Sequence, residues 1–81
     1  MQILTSNQNS RVKEWKKMTT KKGRIKANRF IVEGWHIVNE AINNHAKVYQ
    51  ILVTDQSYLD QLPDDLNAET FVITPEIAKH I

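Results

Sequence analysis

The chain has 81 residues, no cysteine and a net charge of only +2. That length makes one domain with a modest core, and the missing cysteine excludes disulfides and thiolate metal sites as props. No stretch approaches the ~18 apolar residues of a membrane span and residues 1–10 are mostly polar, unlike a signal peptide, so the chain reads as soluble and cytoplasmic with no membrane role.

The small net charge hides a division along the chain. Residues 11–29 hold nine of the eleven basic side chains against one acid, Glu14, and carry +8. Residues 30–81 hold Lys47 and Lys79 against eight carboxylates and carry −6. A basic front on an acidic body points to a polyanionic partner at the front.

In chain order, Ile3 and Leu4 form a short apolar pair followed by polar residues suited to a turn. Asn9 or Ser10 is positioned to cap a helix. Val12, Trp15 and Met18 recur every three residues and make one apolar stripe, with Lys13, Lys16 and Lys17 on the opposite face. This helix is expected to end near Thr19 and Thr20. Residues 21–28, four of them Lys or Arg around Gly23, read as an exposed, basic, mobile loop. Phe30, Ile31 and Val32 form an apolar run consistent with a buried strand, broken by Gly34.

Trp35 to Asn44 returns to helical spacing, with Val38, Ala41 and Ile42 on one face. Residues 48–54 make the clearest strand, rich in β-branched side chains. Thr54 or Asp55 then caps a short helix through Tyr58, Leu59 and Leu62, stopped by Pro63. Residues 70–73 form a third strand, and Thr74, Pro75 and Glu76 start another helix: a capping hydroxyl, a preset φ and an acid at the positive end. A helix followed by three strand–helix units predicts an α/β fold with a mainly parallel sheet covered on both faces. The last helix stops at Ile81 with Ile77 and Ile81 on one face, which suggests a parent chain that continues.

The basic segment is the main functional signal. Lys13, Lys16, Lys17, Lys21, Lys22, Arg24, Lys26 and Arg29 are the candidate phosphate contacts, with the two arginines suited to bidentate bonds. Acids that would pair this run at i, i+4 are missing, which weighs against a merely solvated face. Trp15 sits on the apolar stripe and reads as core rather than as a base-stacking platform, whereas Trp35 fits either role. Glu33 and Gly34, at the end of the expected strand, read as a ligand site or as a structural carboxylate beside a turn. His36, His45 and His80 lack metal-ligand spacing, and two glycines make no phosphate loop. The residues propose no catalytic, cofactor-binding or metal-binding group.

Ile3, Asn7, Val12 and Lys13, then Lys21, Lys22 and Arg24, and above all Arg29, Phe30, Ile31, Val32, Glu33 and Gly34 running into a helix, resemble a known family. The pattern is similar to the N-terminal substrate-binding domain of SpoU/TrmH-type (SPOUT superfamily) RNA 2′-O-ribose methyltransferases. The resemblance extends to the strands at 51–54 and 72–74. Ser10 stands where many members have proline, a departure that leaves the helix start intact. The resemblance implies a three-layer α/β/α sandwich like that of kink-turn-binding ribosomal proteins, spanning residues 1–81 as an RNA substrate-binding domain. It further implies a catalytic domain after residue 81 that binds S-adenosylmethionine and forms the homodimer, leaving this chain monomeric and inactive by itself. The implied partner is structured RNA, ribosomal in most members. Two other readings stay open: a free-standing ribosomal-protein-like RNA-binding module, and a docking domain for an acidic protein.

Overall fold

The computed structural model describes residues 1–29 and 31–81. Three strands, β1 (Gln2–Leu4), β2 (Gln50–Val53) and β3 (Glu69–Ile73), form one parallel sheet in the order β1-β3-β2. Four α-helices accompany them: α1 (Ser10–Lys17), α2 (Lys21–Ala27), α3 (Trp35–Asn43) and α4 (Pro75–Lys79), with a 3₁₀ helix at Gln56–Gln61.

The local start signals are met by named atoms. Asn9 accepts from the Arg11 N–H at 2.9 Å, Asp55 from the Ser57 N–H at 2.9 Å, and Thr74 Oγ1 from the Ile77 N–H at 3.1 Å. Each satisfies a first-turn donor that the helix itself leaves unpaired. The stripe on α1 packs as its spacing requires. Val12, Trp15 and the flanking Met18 bury against Leu4, Phe71 and Ile73 of the sheet and Ile77 of α4. Trp15 meets Phe71 edge-to-face, ring centres 5.0 Å apart, the arrangement that aligns the positive ring edge with the negative face. Alternation along β3 sends Thr70 and Val72 to the opposite side. There Ile51 and Val53 are buried and Trp35 of α3 contacts Tyr58 of the 3₁₀ helix. The result is a mixed α/β fold compatible with a three-layer α/β/α sandwich.

Polar side chains bind α1 to the sheet margin in series. The Trp15 indole N–H donates to Gln50 Oε1 at 2.9 Å, Gln50 Nε2 donates to Glu69 Oε1 at 3.3 Å, and Arg11 pairs with Glu69 Oε2 at 3.2 Å. Gln50 and Glu69 are register partners across β2 and β3. The indole donor, which would be costly to bury alone, is thus connected to solvent through two side chains.

Three expectations from the sequence are corrected. The first strand is not at residues 30–32: Ile31 and Val32 belong to no strand and are 41% and 43% exposed, and Phe30 lies outside the described residues. The first strand is instead β1, whose residues pair with Phe71, Val72 and Ile73. Both edges of β3 are therefore occupied, by β1 and β2. Consequently Glu33 and Gly34 do not stand at a strand end; Gly34, at φ 108°, begins α3 with a backbone angle that side chains disfavour.

Residues 21–28, expected as a mobile loop, are mostly helix α2. Thr20 Oγ1 accepts from the Gly23 N–H at 3.1 Å while donating to the Lys17 carbonyl at 2.9 Å, so one hydroxyl ends α1 and starts α2. Asn28 closes the helix in the left-handed region at φ 55°. Ala27 packs on the core. Gly23, read as a breaker, permits the close crossing: a Cβ there would overlap the carbonyl of Lys17. The strand expected over 48–54 is shorter, Gln50–Val53, although the Tyr49 carbonyl still accepts from the Glu69 N–H at 3.0 Å.

Candidate nucleic-acid interface

The basic segment folds into two short helices, joined through Met18, Thr19 and Thr20, that form a ridge carrying its cations. Lys13 and Lys17 are exposed on α1, and Lys16 is half-buried beside the apolar stripe. Lys21, Lys22 and Lys26 are exposed on α2. Among the described residues no carboxylate comes within 4.0 Å of any of these six lysines; the ion pairs are Arg11–Glu69 and His36–Glu40. Lys21 and Lys22 also occupy the first turn of α2, where no acid offsets them and where the peptide dipoles oppose positive charge. With Glu14 the one acid in the two helices, the ridge is a concentration of positive charge, the arrangement that favours a polyanion.

The two arginines behave differently from the lysines. Arg24 is half-buried, and its Nη1 donates to the carbonyls of Thr19 at 3.2 Å and Met18 at 3.5 Å. Its guanidinium secures α2 to the end of α1. Arg29, just beyond α2, lays its guanidinium over the ring of Tyr49 at 4.0 Å. Lys47 approaches the same ring at 5.2 Å. Neither Lys47 nor Tyr49 stands out in the sequence, because Lys47 is isolated in an acidic half and Tyr49 reads as part of a strand.

The aromatic questions divide. Trp15 is buried with its N–H satisfied, so it is core. Trp35 is half-buried against Tyr58, ring centres 5.0 Å apart. It borders a cleft of about 570 Å³ whose walls include Val38 and Ala41 of α3 and Ile51 and Val53 of the sheet. Glu33 is exposed and, among the described residues, is the one carboxylate side chain lining that cleft. The histidines are dispersed: His36 faces Glu40 at 3.5 Å within α3, and among the described residues no three metal-ligating side chains converge. No helix of the described residues is long and apolar enough to cross a membrane.

Comparison with known proteins gives these features a family. A family model described as the MRM3-like substrate binding domain matches residues 9–81. Over 66 residues, 82% of the chain, the sequence is 44% identical to the 23S rRNA (guanosine(2553)-2′-O)-methyltransferase RlmP of Bacillus subtilis (strain 168). The matched part is 25% of that relative, so the chain spans about a quarter of its length. The α1–α2 ridge, strands β2 and β3 and the cleft all lie within residues 9–81, and the chain belongs to the MRM3-like substrate-binding domain family.

Proposed function

We propose that this chain is the RNA-gripping domain of an S-adenosylmethionine-dependent ribosomal-RNA 2′-O-methyltransferase, and that the α1–α2 ridge is its RNA contact. The observation that carries the reading is the ridge itself: six lysines free of carboxylate partners among the described residues, within a segment matched to a substrate-binding family. The named activity of the relative supports ribosomal RNA as the polymer and a ribose 2′ oxygen as the methyl acceptor.

Lys13, Lys16, Lys17, Lys21, Lys22 and Lys26 hold phosphates and set the register of the RNA on the domain, a task that needs charge and placement rather than base reading. Arg29 joins them at the end of α2. Arg24 contributes by keeping the two helices together. Methyl transfer belongs to the rest of the parent, which also supplies the homodimer contact; this domain works in the cytoplasm by presenting folded RNA. In this reading S-adenosylmethionine is held by that other part of the parent.

The test is a titration of the chain with a folded 23S rRNA segment at several salt concentrations. Binding should weaken linearly on a log–log plot, and changing Lys21, Lys22 and Lys26 together to Ala should reduce the slope by about 2–3, at roughly 0.7–0.9 for each phosphate no longer neutralised. No binding at low salt, or an unchanged slope in the triple variant, would refute the reading.

A further inference from the structure

We infer that Arg29, Lys47 and Tyr49 form a second RNA contact, a platform for one unpaired nucleotide at the mouth of the cleft beside β2. This rests on the RNA-binding reading above and goes beyond it in naming a separate site and its ligand.

The fold brings two cations from segments 18 positions apart to one ring, Arg29 at 4.0 Å and Lys47 at 5.2 Å from the Tyr49 centroid. Lys47 is one of two basic residues in the whole acidic half of the chain, yet it is placed next to the end of the basic front. Like charges gathered this way repel unless an anion joins them, and among the described residues neither has a carboxylate within 4.0 Å. Tyr49 is 41% exposed, so the cluster faces solvent rather than supporting the core.

The cleft supplies the rest of the site. Arg29, Lys47 and Tyr49 all line it, together with the apolar walls from Trp35, Val38 and Ile51. A nucleobase is a flat apolar body with polar edges, and its attached phosphate is an anion. A guanidinium lying on a tyrosine leaves its outer face available for a further π-stacked layer. The base therefore stacks on the Arg29–Tyr49 pair at the cleft mouth, and Lys47 takes the flanking phosphate. A paired base is held in its helix and cannot enter, so this site distinguishes unpaired from paired RNA. The lysine ridge does not. Arg29 follows directly on α2, so ridge and platform make one track along the RNA.

The experiment compares two RNAs, a fully paired duplex and the same duplex carrying one bulged nucleotide, against wild type, Tyr49→Leu and Arg29→Lys. Arg29→Lys retains the charge and removes the planar guanidinium. Both variants should lose about 10-fold in affinity for the bulged RNA and less than about twofold for the duplex. Crosslinking from a 4-thiouridine at the bulge should map to the peptide containing Tyr49, which covers the case of a variant that folds poorly. Wild-type binding with both variants unaffected on the bulged RNA, or a crosslink confined to α1 and α2, overturns the platform while leaving the ridge in place. Equal losses on both RNAs and on polyglutamate would make the trio a general anion contact and would also overturn it. Wild type that binds neither RNA overturns the RNA reading and the platform together.

Discussion

Gly23→Ala separates local propensity from tertiary packing, because the two predict opposite signs. In a helix interior, alanine is favoured over glycine by roughly 0.5–1 kcal/mol, chiefly through the lost freedom of the unfolded glycine. Gly23 is the third residue of α2, in its capped first turn, so propensity alone predicts a stabilised variant, by less than the interior value. The structure predicts the reverse. A Cβ at this position would overlap the carbonyl oxygen of Lys17 and come within 3.1 Å of Thr20 Oγ1. The obstructing atoms are backbone at the end of α1, which also carries the Thr20 hydrogen bond, so relief requires the two helices to move apart. Forcing extra volume into such a contact costs about 1–3 kcal/mol, which leaves a net destabilisation on the order of 1 kcal/mol after the propensity gain. For a domain of this size that lowers Tm by about 4–8 °C. Thermal unfolding followed by tryptophan fluorescence measures it, with far-UV circular dichroism reporting α2. A Tm equal to or above wild type would refute the close crossing of α1 and α2.

Other perturbations test the remaining contacts. Arg24→Met keeps the aliphatic stem but removes the bonds to the Met18 and Thr19 carbonyls; it should cost about 1 kcal/mol in urea unfolding while changing the salt slope for RNA less than any one ridge lysine does. A slope change as large as a lysine's would return Arg24 to the phosphate-binding set. For the indole bond, a double-mutant cycle of Trp15→Phe and Gln50→Leu should give a coupling of about 0.5–1.5 kcal/mol, and additive losses would show that the 2.9 Å contact contributes nothing net. Asp55 is held below the ordinary carboxylate range, first by the Ser57 backbone N–H and then by its hydroxyl. A depressed folded-state pKa stabilises fully above the unfolded value, about 3.9, and the contribution disappears as pH falls through the folded value. Asn can keep the cap bond, so the Tm difference between wild type and Asp55→Asn reports the charge alone and should be constant from about pH 7 to 5 and shrink below about pH 4; a difference that persists at about pH 2.5 would contradict the charge contribution.

The features legible in the sequence are those that depend on neighbours along the chain. The caps at Asn9, Asp55 and Thr74 each join a side chain to a backbone N–H two or three residues on, and helical spacing alone groups Val12, Trp15 and Met18. The basic segment is a matter of composition, so the polyanion-facing end of the molecule could be read without knowing any fold. The family pattern was readable for the same reason, since it lies in consecutive residues from Arg29 to Gly34.

What the sequence left undetermined depends on partners far along the chain. A three-residue segment such as Gln2–Leu4 has no strand signature, and it is a strand because β3, some 70 positions away, offers a free edge. Conversely, the apolar residues Ile31 and Val32 look like a strand in composition, yet they pair with no strand and stay exposed. The segment from 21 to 27 is helical because glycine allows α2 against the end of α1 and Arg24 binds the carbonyls there, interactions invisible to composition. Lys47 is a lone charge in sequence and a neighbour of Arg29 in space. Charge, stripe and caps are properties of the chain; edge pairing, helix crossing and the meeting of Arg29, Lys47 and Tyr49 exist only after folding closes the distances between them.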